Sequence, residues 1–212
     1  MNGITAIQKT AGATTACPGS SRDRPIRLIR PMPRLISRRH MLEALLILAL
    51  VVVVQLWQSR GLPAGAAPPL SGVRSDGVAI SLAGFQKLGA GDAPGTPNAA
   101  GKPVLVVFWA TWCGVCKAEE SNIVAISRDW PVFSVAMQSG DAAAVNKHLA
   151  ERGIPYPALV DAEGKQAAAW GIAGVPTHFI VDAAGKVRFR VVGYATTWGL
   201  RARLWWAGRF AA

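Results

Sequence analysis

A chain of 212 residues, 51% hydrophobic and 17% charged, suits one packed domain with extensions and is too apolar for a disordered polymer. Its formal net charge of +11 invites a nucleic-acid reading, but eight Lys/Arg against one Asp precede Met41, whereas 14 basic and 10 acidic side chains follow residue 60. The excess therefore lies in a tail, which excludes an organised basic nucleic-acid face, and no Gly-rich phosphate loop or organic-cofactor signature is present.

Residues 1–40 lack hydrophobic periodicity and are rich in Thr, Ala, Ser, Arg and Pro, as expected of a basic, disordered cytoplasmic tail. Cys17 lies in it and reads as a solvated, reduced bystander. Residues 41–57, MLEALLILALVVVVQLW, form the strongest apolar segment. As a helix they reach about 26 Å, near the short limit for a transmembrane anchor. Glu43 would sit in one headgroup layer, and Trp57 and Arg60 at the other. Arg34, Arg38 and Arg39 precede the span, so the positive-inside rule keeps the N-terminus in the cytoplasm and exports everything after residue 60. Two other readings stay open: a signal peptide cleaved at Ala64-Gly65-Ala66, and a buried core helix.

Residues 58–72 contain GLPAGAAPPLSG and read as a linker, followed by one domain over 73–212. Residues 78–82 predict a short strand and 91–101 a Gly/Pro/Ala loop. The run VLVVFW (104–109) predicts a strand covered on both faces. A helix should start at the cysteines that follow and continue to about Arg128. Residues 132–137 predict a second buried strand. Residues 141–152 predict a helix capped by Asp141 and stopped by Gly153. A short strand at 158–160 and a helix at 165–170 come next. The hexamers VDAEGK (160–165) and VDAAGK (181–186) look like a repeat and read as one Asp-x-x-Gly turn used twice. The first leads into a helix; the second joins strands 178–182 and 186–192 as a hairpin. The chain closes on TTWGLRARLWWAGRF, a final helix packing on the sheet, with Trp198, Trp205 and Trp206 as alternative membrane-surface contacts. Parallel strands joined through helices, then a hairpin and a last helix, imply an α/β sandwich.

The chemistry gathers at WCGVCK (112–117). A strand that runs directly into a C-x-x-C opening a helix places its first cysteine among unpaired backbone N–H groups at the positive end of the helix dipole. Both favour thiolate, the species that attacks disulfides. Cys116, one turn on, lies within disulfide reach. Cys113 is thus the candidate nucleophile and Cys116 the resolving thiol, with Trp109 and Trp112 flanking them. Two alternatives use the same thiols. A zinc or copper site would need ligands beyond them, and no second C-x-x-C exists; His148 reads as solvated and His178 as a strand or surface residue. A purely structural disulfide would close a loop too short to constrain the unfolded chain much.

FWATWCGVCKAE (108–119) and GVPTHFIVD (174–182) resemble the two hallmarks of thioredoxin-fold proteins. The likeness is nearest to membrane-anchored bacterial TlpA/DsbE-like disulfide oxidoreductases, and within them to the ScsD-like, copper-sensitivity-suppressor branch. It extends over about residues 73–210. It implies a thioredoxin-like sandwich with a central α/β insertion at about 140–160, preceded by one transmembrane helix. It implies that Pro176 is cis and faces the cysteines, and that Val175 offers its backbone to a bound peptide; Trp112, Gly114 and Val115 complete the substrate-binding surface. It implies no cofactor beyond the Cys113–Cys116 disulfide, a DsbD-type membrane electron donor, and a periplasmic domain on the bacterial inner membrane. Two departures stand out. The buried acid that many thioredoxins carry six residues before the nucleophile is Val107 here, and a helix proline five residues after the resolving cysteine is Ser121. Glu119 and Glu120 are the candidates for proton transfer in its place. The expected function is thiol–disulfide exchange with exported proteins, as reductant or isomerase; the alternative is a copper- or zinc-binding metal-tolerance module.

Overall fold

The structure is a computed structural model that describes residues 38–58, 60–89 and 99–210. The expectations for the tail over 1–37, for Cys17 and for most of the 91–101 loop lie outside the described residues. The first element, α1 (Arg38–Gln58), is a helix of 21 residues. It straddles the point where the chain divides into two units, Met1–Leu42 and Glu43–Ala212, and is described by itself. Leu45, Leu46, Ile47 and Leu48 on it are exposed. Arg38, Arg39, His40, Glu43, Gln55 and Gln58 all fall within its length, and among the described residues no helix is long and apolar enough to cross a membrane. The expected helix is present; a membrane span is not shown.

The rest of the described chain is built on a six-stranded sheet. In chain order the elements are β1 (Gly65–Ala66), β2 (Ser71–Val73), β3 (Ala79–Ser81), α2 (Leu82–Phe85), β4 (Val104–Trp109), α3 (Gly114–Ser127), β5 (Val132–Met137), α4 (Ala142–Glu151), β6 (Ala158–Asp161), α5 (Lys165–Ala169), β7 (Thr177–Val181), β8 (Lys186–Val192) and α6 (Thr197–Phe210). The sheet order is β1-β8-β7-β4-β5-β6; β4, β5 and β6 are parallel, and β7, β8 and β1 join by antiparallel pairing. The short strand expected at 78–82 is present as β3 and pairs with β2 in a separate two-stranded sheet.

The period-2 geometry of β4 explains the two cores. Leu105, Val107 and Trp109 face one side, with Ile123 and Ile126 of α3, Val145 and Leu149 of α4, and Leu200 and Leu204 of α6. Val104, Val106 and Phe108 face the other, with Phe133, Phe179 and Trp170. A strand apolar on both faces has to be central, and β4 is fully buried. The paired hexamers behave as expected. Gly164 N–H donates to the Asp161 carbonyl and Gly185 N–H to that of Asp182, each at 3.0 Å, and both glycines have positive φ. Asp141 caps α4 by accepting from Ala144 N–H at 2.8 Å, and Gly153 follows the helix at φ 62°.

The segment expected to be a linker is packed for much of its length. Leu62 and Leu70 are buried, β1 pairs with β8, and the Leu62 carbonyl accepts from Arg190 Nη1 at 2.9 Å. Packed chain therefore extends to residues well before 73. Gly- and Pro-rich composition concealed this, because two isolated leucines carry no periodicity.

Candidate active site

The site forms where β4 ends and α3 begins. Cys113 is the N-cap of α3, with extended backbone at φ −82° and ψ 111°, and its Sγ accepts from Cys116 N–H at 3.1 Å. No acidic side chain lies in the first turn of α3, so nothing there opposes the positive helix end. Cys113 and Cys116 are joined as a disulfide, with Cα atoms 5.2 Å apart, and both are buried. The Val175–Pro176 peptide bond is cis, and Cys113 Sγ lies 3.5 Å from the Val175 carbonyl oxygen. β7 follows this loop and pairs with β4, which is how two segments some 60 residues apart meet.

Trp112, Gly114 and Val115 are exposed around the disulfide; Val175 is half-buried and Pro176 buried. The Trp112 indole is fixed by donating to the Gln138 carbonyl at 3.0 Å. Gln138 adopts φ 47°, the left-handed region that few non-glycine residues enter, and so turns that carbonyl toward the tryptophan. Trp109 does not flank the disulfide at the surface. It is buried and donates to Ser134 Oγ at 2.7 Å, so of these two tryptophans Trp112 is the one that offers an aromatic face to a partner.

The interior side of the pair is more polar than the sequence suggests. A cavity of about 30 Å³ is walled by Cys116, Val107, Trp109, Glu119, Tyr156, Pro176 and His178 among others. Glu119 and His178 are both 1% exposed, and Glu119 Oε1 lies 2.6 Å from His178 Nε2. The contact is close but lacks the alignment of a regular hydrogen bond, and among the described residues neither Glu119 oxygen nor His178 Nε2 has a hydrogen-bond partner. Glu120 is engaged elsewhere: its carboxylate meets His148 Nε2 at 2.7 Å and Arg152 Nε at 2.5 Å. His148 is therefore not solvated; it is largely buried and stacks beside Trp109 with ring centroids 5.2 Å apart. His178 belongs to the interior of the site rather than to the surface. Burial pushes the Tyr156 phenol well above its ordinary range, and the charges of Glu120 and Glu119 push it further. Among the described residues no group of three or more His, Cys, Asp or Glu side chains could hold a metal ion.

A cysteine pair at a helix N-terminus beneath a cis-proline loop can cycle between disulfide and dithiol. Similar proteins carry names that fit this chemistry. The chain is 34% identical over 110 residues to the "Thioredoxin-like protein" of Haemophilus influenzae, covering 51% of this chain and 65% of that one. It is 38% identical over 90 residues to the "Thiol:disulfide interchange protein DsbE homolog" of Paracoccus denitrificans, covering 42% and 50%. These matches thus span one half to two thirds of the relatives' own lengths. The crystal structure of a thioredoxin-family thiol:disulfide interchange protein from Chlorobium tepidum superposes with a TM-score of 0.54 at 27% identity, over 69% of this chain and 97% of that one. The α/β sandwich is thus thioredoxin-like. Residues 93–200, with both cysteines and the cis-proline loop inside them, match the Redoxin family, and the chain belongs to that family.

Proposed function

We propose that the protein is a membrane-attached thiol–disulfide oxidoreductase of the bacterial envelope, which exchanges disulfides with exported proteins as a reductant or isomerase. The observation that carries this reading is the Cys113–Cys116 disulfide at the start of α3, 3.5 Å from the carbonyl of the cis-proline loop. In the reducing direction, Cys113 thiolate attacks one sulfur of a substrate disulfide. That bond breaks, a mixed disulfide forms, and the other substrate cysteine leaves as thiolate. Cys116 gives up its proton and attacks Cys113 Sγ, which releases the second substrate thiolate and leaves the protein oxidised. Trp112, Gly114, Val115, Val175 and Pro176 border the docking surface, and the Val175 backbone can pair with an extended substrate strand.

A reductant outside the cytoplasm has to be re-reduced, and a DsbD-type membrane donor would supply those electrons. Attachment through α1 rests on its exposed apolar side chains and on Arg34, Arg38 and Arg39 before them, which favour a domain on the far side of the membrane. Insulin reduction tests the chemistry. Cys113→Ser should drop turnover to the uncatalysed level, and Cys116→Ser should accumulate a mixed disulfide; wild-type turnover by Cys113→Ser would overturn the reading. An alkaline phosphatase fusion at the C-terminus tests the topology and should be active. Equilibration with glutathione tests direction: a potential near about −270 mV fits a reductant, and one near about −120 mV marks a disulfide donor.

A further inference from the structure

We propose that the outward face of α6 is a membrane-docking surface, which lays the domain against an anionic bilayer through Trp198, Trp205 and Trp206. Docking rests on the membrane attachment proposed above and is independent of the thiol–disulfide chemistry. The helix packs on the rest of the domain through Leu200, Leu204 and Ala207, which are buried. At about 100° per residue those three share one side of it. The opposite side carries Trp198, Ala202, Trp205 and Arg209, with Trp206 next to them. Trp198 is 82% exposed, Trp205 58% and Trp206 42%. Charged and polar residues belong on the water-facing side of a surface helix, and a second apolar face there marks a surface that something covers.

The aromatic rings form a connected ridge. Trp206 packs edge-on against Phe189 of β8 with ring centroids 5.3 Å apart. Phe210, itself exposed, lies 5.9 Å from Trp205 and 5.8 Å from Trp206. Open grooves flank the ridge. Trp206 borders one with Phe189 and Arg203, and Trp205 borders the other with Lys102 and Arg209. The charges along it have one sign: TWGLRARLWWAGRF holds three arginines and no acid. Asp129, which lines the second groove, is already paired with Arg201 Nη2 at 2.6 Å. Arg203 is held along the helix, with Nη1 donating to the Gly199 carbonyl at 2.8 Å, and Arg209 and Lys102 are exposed.

Charge and ring chemistry select the occupant. A second copy docked by the same face would set one basic patch against another. An anionic headgroup layer satisfies both kinds of group. Its phosphates pair with Arg and Lys, whose stems lie along apolar surface, while indole rings settle at the boundary between headgroups and acyl chains. A fluid surface also receives a ridge between two grooves without needing a matching shape. The chain supplies nearness: α1 ends at Gln58 and packed chain resumes at Leu62, so a membrane-held α1 leaves the domain only a few residues of slack. Thr197 Oγ1, at the start of α6, donates to Asn122 Oδ1 of α3 at 3.0 Å. A docked α6 therefore also fixes how the disulfide at the start of α3 faces the bilayer.

Photolabelling of the full chain in vesicles tests this. A benzophenone side chain replaces Trp205 in one preparation and, in another, Glu163, an exposed residue in the turn before α5. The vesicles contain phosphatidylglycerol and phosphatidylethanolamine, with phosphatidylcholine alone as the neutral comparison. On the anionic vesicles lipid adducts at 205 should exceed those at 163 at least about fivefold, and they should fall by at least about half on neutral vesicles or in about 0.5 M salt. Arg203→Ser with Arg209→Ser should lower them at least about fivefold. The unmodified chain gives a reading free of any substitution: quenching of its tryptophans by brominated lipid should weaken in high salt, and salt-independent quenching would overturn the docking. Equal adducts at 205 and 163 in a chain that floats with the vesicles would also overturn it, pointing to an acidic protein as occupant and leaving attachment through α1 standing. Adducts from 205 to a second copy in place of lipid would overturn it as well. Lipid adducts at 205 in a chain that stops floating once Trp198→Ser and Trp205→Ser are introduced would uphold the docking face and sink α1 as the anchor. A chain that neither floats nor labels lipid would overturn both.

Discussion

Tyr156 offers the clearest pH test at the scale of single residues. Its phenol is buried, and burial first, then Glu120 and Glu119, hold its folded pKa above the ordinary 10.0. The unfolded chain ionises this phenol from about pH 10, whereas the folded chain keeps it neutral. The contribution is therefore complete below about pH 10 and is lost as pH rises beyond it, at about 1.4 kcal/mol per pH unit. Urea midpoints at pH 8 and 11 should show Tyr156→Phe losing less stability than wild type; equal losses would count against the burial argument. Trp170 makes a second case. It is fully buried and packs on Phe179 and Phe108 with ring centroids at 4.8 and 5.5 Å. Trp170→Ala should cost about 3–5 kcal/mol in urea unfolding. Residue roles were unevenly legible. The cysteines announced themselves because spacing and helix position are local facts. His148 and His178 did not, because their partners Glu120 and Glu119 lie 28 and 59 positions away in the chain, and no periodicity links them.

The elements were legible wherever local chemistry fixes both ends. β4 follows from an unbroken apolar run, β5 from an apolar run broken only by Ser134, and α4 from an Asp cap and a terminal glycine. α5 is instructive because its own cap, Gly164, has no side chain to offer. Asp161 substitutes from the preceding turn: its buried carboxylate accepts from Gln166 N–H at 3.1 Å and Ala167 N–H at 2.9 Å. Asp161→Ala would strand both donors and should cost about 1–3 kcal/mol, with faster hydrogen exchange confined to α5. Unchanged exchange across 165–169 would mean that packing of Ala167 holds the helix without the carboxylate. The matching Asp182 has three donors, Ala184 N–H, Lys186 N–H and Arg188 Nε, so one sequence motif ties a helix in one place and a hairpin in the other. β1 and β2 escaped notice because they are short and lie in or beside a Gly-, Ala- and Pro-rich stretch whose composition reads as linker.

For the whole molecule, the sheet and its two cores followed from the order of strands and helices, but the N-terminal boundary did not. The segment from Gly61 to Leu70 straps the face opposite the helices that carry the site. Leu62 and Leu70 enter the core around Trp170, Ala67 N–H donates to the Gly185 carbonyl at 2.8 Å, and Gly171 lets the chain pass close by. A Cβ at Gly171 would lie 2.6 Å from the Gly61 carbonyl oxygen, and φ there is +66°, so both space and backbone exclude a larger residue. The strap should therefore be part of the cooperative unit. Leu70→Ala in the full chain should cost about 2–5 kcal/mol, and Gly171→Ala more than about 1 kcal/mol. Both should speed proteolytic cleavage within 61–70. If instead Leu70→Ala left the urea midpoint unchanged while cleavage rose, the strap would be a separately opening element and residue 73 would be the true domain edge. If both change together, the folded domain begins at Gly61, and a free tether between it and α1 can be only a few residues long.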